Sequence, residues 1–177
     1  MTYVATLEAR LREPRLGRTR LVLIDGPSGA GKTTLAELLG EHLAAQVVHT
    51  DDLLNGWDDQ FTYWDRLKEL VLGPLFQDRA GRYQAYDWHA ERFTGPWHEV
   101  EPGGILIVEG VGAAREEARP WASLTLFVDA PLSVREARSL ERDGEAMQTQ
   151  LKAWRAREEL HFAADATAWC ADVIISA

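Results

Sequence analysis

The run Gly26-Pro27-Ser28-Gly29-Ala30-Gly31-Lys32-Thr33 constrains this chain more than any other. It follows the apolar stretch Leu21-Val22-Leu23-Ile24 and leads into Thr34-Leu35-Ala36-Glu37-Leu38-Leu39, which reads as a helix. Strand, glycine-rich turn and helix are the setting in which the spacing G-x-x-x-x-G-K-[ST] makes a phosphate-binding loop. A triphosphate is a dense polyanion. Glycines let the backbone wrap it closely, because side chains would block the approach and some positions need φ > 0. The N–H groups then converge on phosphate oxygens, and the helix adds its positive N-terminal end. The expected nucleotide-binding residues are Gly26, Ser28, Gly29, Ala30, Gly31, Lys32, Thr33 and Thr34. Among them, Lys32 reaches the β- and γ-phosphates and the Thr33 hydroxyl ligates Mg2+. The motif specifies a bound nucleoside triphosphate and leaves open where its γ-phosphate goes.

Apolar runs alternate with helical patterns along the rest of the chain, the sign of a parallel sheet. The expected strands are 21–25, 47–50, 105–109, 124–129 and 172–175, short and mostly apolar, as strands covered on both faces are. The expected helices are 2–12, 32–43, 65–76, 113–118, 133–142 and 146–167, the last with a break near Phe162-Ala163-Ala164-Asp165. The stretch 51–104 differs. It carries Asn55-Gly56, Gly73-Pro74, Gly81, Gly95-Pro96 and Pro102-Gly103-Gly104, all turn signals, and is dense in aromatic and charged residues. It reads as an insertion between two core strands. Ligands of open parallel sheets sit beyond the carboxyl ends of the strands, so this insertion is the expected acceptor-binding region.

At 177 residues the chain suffices for one α/β domain with a sizeable core. No apolar run approaches the roughly 18 residues that span a bilayer, and the first residues lack a signal-peptide pattern. The single Cys170 forms no internal disulfide and is expected in the core, in keeping with a reducing cytoplasm. A net charge of −9 argues against nucleic acid as a partner. Of the seven tryptophans, Trp57, Trp64 and Trp97 are expected to pack in the core, while Trp88 is either core or an aromatic platform for a flat substrate.

Two strand ends supply carboxylates on the same side of the sheet as the loop: His49-Thr50 runs into Asp51-Asp52, and Ile107-Val108 into Glu109-Gly110. Mg2+ takes one or two carboxylates together with waters and phosphate, and an acceptor hydroxyl needs a carboxylate to take its proton. Asp51 and Glu109 are the candidates. Asp52 projects the opposite way on an extended strand end. Acidic residues also close strands as caps or turn formers, the structural alternative. Arg135, Arg138 and Arg142 share one helix face, either as a solvated surface or as a lid over the triphosphate.

Several segments resemble the uridine kinase and nicotinamide riboside kinase group of P-loop kinases. His49-Thr50-Asp51-Asp52-Leu53 resembles their Q-D-[SD]-F segment, and Tyr86-Asp87-Trp88-His89-Ala90-Glu91-Arg92 their Y-D-F-x-x-H-x-R segment. Val108-Glu109-Gly110-Val111 is similar to their V-E-G-[IV] strand end. Asp129 with the later Arg135, Arg138, Arg142 and Asp143 resembles their strand and arginine-rich lid, and Ala171-Asp172-Val173-Ile174-Ile175 their last strand. The pieces stand in family order over most of the chain. The resemblance implies a three-layer P-loop NTPase fold of the α/β class, a single kinase domain over 1–177 with a central parallel five-stranded sheet, helices on both faces and a short lid at 133–147. It implies ATP and Mg2+ as cofactors, Asp51 as the base, Glu109 near Mg2+ with Thr33 and Asp51, and Lys32, Arg138 and Arg142 as the groups that offset transition-state charge. For the acceptor it implies Asp65 on a diol, Tyr86 and Trp88 flanking a ring, the family's histidine near His89 or Glu91, and Arg92 and Arg135 nearby. The lid and the stretch between Asp51 and Tyr86 are shorter than in the family, and Trp88 replaces its smaller ring.

These readings point to a small-molecule kinase acting on a hydroxyl, a nucleoside first. A sugar, shikimate-like metabolite or antibiotic phosphotransferase is the alternative within that class, and a nucleotide-dependent switch ATPase the alternative outside it. Oligomeric state is not legible.

Overall fold

The computed structural model describes residues 3–176. Short helix α1 (Tyr3–Glu8) precedes β1 (Arg20–Asp25), the glycine-rich loop and α2 (Lys32–Leu43). Then come β2 (Gln46–His49), a 3-10 turn Thr50–Leu53, and α3 (Tyr63–Leu67), which passes through a π-helical turn Lys68–Leu72 into α4 (Gly73–Phe76). Strands β3 (Gly81–Gln84) and β4 (Trp97–Val100) form a separate antiparallel pair. The chain returns as β5 (Ile105–Glu109) and β6 (Ala122–Asp129), and ends in α5 (Leu132–Asp143), α6 (Gln148–Asp165), α7 (Thr167–Cys170) and β7 (Val173–Ser176).

The five long-range strands make one parallel sheet in the order β2-β5-β1-β6-β7. Strand β1 is central, so the loop that follows it opens at the middle of the sheet edge. Successive side chains of a strand point to opposite faces. Leu21 and Leu23 accordingly join one core with Leu106 and Val108, while Val22 and Ile24 join another with Ile107, Leu126 and Val128. Helices α1 and α2 cover the second core through Leu7, Ala36 and Leu39. The first is covered by Tyr63, Trp64, Leu67, Val71 and Leu75 of the insertion and by Trp154 of α6. This is the three-layer α/β arrangement expected from the sequence. Among the described residues no helix is long and apolar enough to cross a membrane.

The differences have local causes. The stretch expected as a helix at 113–118 is a turn instead, because buried Asp25 accepts the N–H groups of Gly112 and Ala114 and Arg115 Nε donates to the Gly112 carbonyl. The first helix ends at Glu8, and Arg12 beyond it pairs with Asp172 next to β7; Thr2 lies outside the described residues. The break in the last long helix falls at Ala166, a left-handed residue with φ 52°, just after the four residues marked for it. Cys170 is exposed rather than in the core, at the end of the short surface helix α7. Trp64 is in the core, but Trp97 is 57% exposed on the hairpin edge, beneath the Arg82 guanidinium. The insertion's hairpin and its π-helical turn carry no sequence pattern that marked them.

Candidate functional site

Where β1, β2 and β5 end, the chain encloses a cavity of about 690 Å³, a size usual for small-molecule sites. Its floor is the glycine-rich loop. Gly26 turns the chain out of β1 with φ 137°, and a Cβ there would collide with the Val128 carbonyl of the neighbouring strand. Gly31 is left-handed just ahead of α2, whose first turn carries Lys32 and Thr33. Lys32 is buried, and its Nζ donates to the Pro27 carbonyl at 3.0 Å, so the ammonium is folded over the loop. Ser28, Gly29, Gly31, Lys32 and Thr33 all face the cavity. Gly26 and Ala30 lie beneath it, Ala30 fully buried. Thr34 faces a shallower recess of about 410 Å³ beside Leu35, Leu38 and Ile175, and Arg138 stands between the two hollows.

The carboxylates meet above the loop. Glu109 closes β5 and is almost fully buried; its Oε1 accepts the Thr33 hydroxyl at 3.1 Å and lies 2.7 Å from His49 Nδ1. The bond to Glu109 raises the His49 pKa, with burial opposing. Asp51 leaves β2 on the 3-10 turn and opens on the cavity. Water reaches it there although protein encloses it on the other sides. Burial pushes its carboxyl above the usual range, the charge of Glu109 adds to this, and Lys32 and Arg142 oppose. Gly110, φ 149°, lets the chain leave β5 against Thr50; a Cβ would overlap the Thr50 hydroxyl, so this glycine sets how near Asp51 and Glu109 come. Asp52 is half-buried and does not line the cavity.

Thr33, Asp51 and Glu109 thus place a hydroxyl and two carboxylates at one opening. Among the described residues no three His, Cys, Asp or Glu side chains form a ready-made metal cage. A hydroxyl and one or two carboxylates are a donor set that Mg2+ takes, with phosphate and water completing its shell.

Helix α5 crosses the mouth. Arg138 donates to the Gly29 carbonyl at 3.1 Å, and Arg142 is bidentate with Asp143 at 2.8 and 2.7 Å. Both line the cavity, as does Asp143. Arg135 does not: its Nε caps the Ala130 carbonyl at the start of the helix. The far wall is aromatic. Trp57 meets Trp154 edge-on at 5.7 Å and Trp88 at 5.6 Å, and Tyr86 backs Trp88 at 5.1 Å. Trp57, Trp88 and Trp154 face the cavity with Leu54, Leu151 and His89. Trp88 packs on two rings and stays 38% exposed at the opening. Tyr86 is buried behind this wall. Arg92 is exposed, with its backbone paired to Asp87. Asp65 stands 84% exposed on α3 beside Lys68, away from the cavity. The α3 helix turns its Trp64 face into the core, which sends the next residue outward. Asp65, Tyr86, Arg92 and Arg135 are thus not brought to the wall.

Four participants were not marked by the sequence. His49 sits two residues before Asp51, a place that could have drawn notice. Asp25 precedes the loop directly, is fully buried, and accepts the N–H groups of Gly26, Gly112 and Ala114 at 2.7–2.8 Å. Burial raises its pKa to about 6, against those three bonds and Lys32. Trp154 and Glu158, one turn apart on α6, reach the site only through tertiary packing.

A family described as AAA ATPase domain matches residues 2–169. A cytidylate kinase of Halobacterium salinarum is 30% identical over 139 residues, covering 78% of this chain and 67% of that one. A structure described as a possible uridine kinase from Bacillus stearothermophilus superposes with a TM-score of 0.71 at 21% identity, covering 97% of this chain and 94% of that one. A kinase provisionally assigned to a fructose transport system in Silicibacter superposes with a TM-score of 0.64 at 22% identity, covering 98% of both chains. The two structures share the fold.

Proposed function

The chain belongs to the AAA ATPase domain family of P-loop proteins and to the nucleoside-kinase-like group of P-loop kinases, and on that premise we propose that it moves the γ-phosphate of ATP to the hydroxyl of a small, uncharged acceptor carrying a flat ring, a nucleoside first. The observation that carries this is the two-sided cavity: Lys32, Thr33, Asp51, Glu109, Arg138 and Arg142 on one side, three tryptophans on the other. Catalysis of phosphoryl transfer is mostly positioning and charge stabilisation. Lys32 and the loop N–H groups hold the phosphates. Arg138 and Arg142 close over them and offset charge on the transferring group. Asp51 orients the acceptor hydroxyl and takes its proton on a carboxylate oxygen as the O–P bond forms and the bond to ADP breaks. Thr33, Asp51 and Glu109 would hold Mg2+, which when bound neutralises phosphate charge.

The lysine and arginines that line the cavity, Lys32, Arg138 and Arg142, stand on the first turn of α2 and on α5. A nucleoside monophosphate, the acceptor named for the cytidylate kinase relative, would want such groups on the acceptor side as well, and this favours an uncharged acceptor. Asp65 outside the cavity favours a second reading in which the ring is not borne on ribose, as in an aromatic alcohol. ADP release from ATP and Mg2+ in the presence of nucleosides, CMP, sugars, aminoglycosides and aromatic alcohols tests both. Nucleosides or aromatic alcohols raising turnover well above background hydrolysis is the expected result. CMP alone doing so removes the uncharged acceptor, and no acceptor doing so removes transfer to a small molecule altogether.

A further inference from the structure

Glu158 of α6 is 1% exposed and lies behind the loop. Its Oε1 accepts the Ser28 N–H at 3.0 Å, the Ser28 hydroxyl, and the Trp154 indole N–H at 2.7 Å. Its Oε2 is buried and has no partner among the described residues. A helix position facing a core is ordinarily filled by an apolar side chain, since a buried carboxylate is costly unless its oxygens are satisfied. Here the acid is kept, three donors crowd one oxygen, and two of the three belong to a residue of the phosphate loop. The third belongs to a tryptophan that lines the cavity. A negative group set against an anion-binding loop also runs counter to the loop's own task.

We propose that Glu158 is a positioning residue for phosphoryl transfer: with Trp154 it clamps the Ser28 corner of the loop and denies that corner to the phosphates. The proposal rests on the kinase reading above. The Ser28 N–H is spent on the carboxylate, so the triphosphate is left to the N–H groups from Gly29 onward and to Lys32. The negative charge behind Ser28 repels a phosphate that would slide toward it. The clamp thus gives up some ground-state affinity for ATP to keep the γ-phosphate in register with Asp51. Glu158 reaches neither reactant, since Ser28 and Trp154 stand between it and the cavity. Trp154 ties the same clamp to the acceptor wall through its contact with Trp57.

The distinguishing readout is the split between kcat and KM. An interaction that strains or restricts the ground state lowers both kcat and KM when removed. In the full-length chain, Glu158→Gln removes the charge with little change of shape. Its kcat for acceptor-dependent ADP release is expected to fall about tenfold or more while its affinity for ATP, measured by calorimetry without acceptor, stays level or tightens. Trp154→Phe, which keeps a ring in the core and deletes one donor, is expected to move both quantities the same way by less. A kcat within twofold of the parent in a folded Glu158→Gln protein overturns the proposal. So does a parallel loss of kcat and ATP affinity, which is what a damaged loop gives. Should Glu158→Gln not fold, the Trp154→Phe split decides by the same two criteria. If the parent itself shows no acceptor-dependent turnover, the kinase reading fails, and ATP affinity of the variants still tests the clamp: weaker binding than the parent overturns it.

Discussion

On the phosphate side of the cavity, Asp51 and Glu109 stand at strand ends, after β2 and on β5, Lys32 and Thr33 on the first turn of α2 behind β1, and Arg138 and Arg142 on α5. On the acceptor side, Trp57, Trp88 and His89 stand on irregular chain of the insertion and Trp154 on a helix. The carboxylates and the phosphate loop of the first group are fixed by the parallel hydrogen bonding that joins β2, β5 and β1. The second is fixed by ring-on-ring packing, which tolerates a change of ring or of angle. A phosphate site so built varies little without loss of the sheet, while an acceptor site so built is free to be reshaped.

Substitutions that cross this divide should behave differently, and the largest effect belongs to the phosphate side. Asp51→Asn is expected to lower acceptor-dependent kcat by roughly 10²–10⁴-fold with ATP binding retained; near-parental turnover would remove Asp51 as the base. Gly110→Ala places a methyl group on the Thr50 hydroxyl at a φ that L residues rarely adopt, and about 3 kcal/mol of stability should be lost. Urea titration reads that loss.

The next effect is a pH dependence. Asp25 has a folded-state pKa of about 6 against an ordinary 3.8. The folded chain therefore holds this proton more tightly than the unfolded one. Its contribution to stability is full below pH 3.8 and is lost as pH rises through about 6, amounting to roughly 2–3 kcal/mol. Asp25→Asn lacks the titration but also loses the acceptor for the Ala114 N–H, so it starts less stable. The gap between parent and variant should narrow from pH 4 to pH 6.5 in paired urea titrations, and a constant gap would contradict the shift.

On the acceptor side, Trp88→Ala should raise KM for the acceptor by about tenfold, the worth of one aromatic contact, with kcat for saturating acceptor little changed. The smallest effect is expected from Asp65→Ala, within about 0.5 kcal/mol in stability and within experimental scatter in acceptor KM. A large rise in KM there would return Asp65 to the acceptor site and erase the contrast.

The same divide marks what could be read before folding. The loop, the five strands, α2 and α5 declare themselves through spacing and period over a dozen adjacent residues. Asp51 and Glu109 declare themselves because a strand end fixes which way a neighbouring side chain can go. Asp25, Trp154 and Glu158 do not, because their partners are loops and helices far along the chain. Asp65 follows Trp64, which α3 uses as its core anchor, and this turns Asp65 outward. The helix expected at 113–118 had adequate local preference, and the bonds from the Gly112 and Ala114 N–H groups to the distant Asp25 carboxylate outweighed it. Tertiary contacts decided each of these places.

Strands β2 and β5 lie side by side in the sheet, yet the chain leaves one at Thr50 and rejoins the other at Ile105. The whole aromatic wall apart from Trp154 is therefore a detour that begins and ends at adjacent points. Closing a loop twice as long costs only about 0.6 kcal/mol more. Such a detour is exchangeable. A shorter, longer or differently lined excursion could be grafted between the same two anchor points, and the phosphate machinery would inherit a new clientele without relearning how to fold.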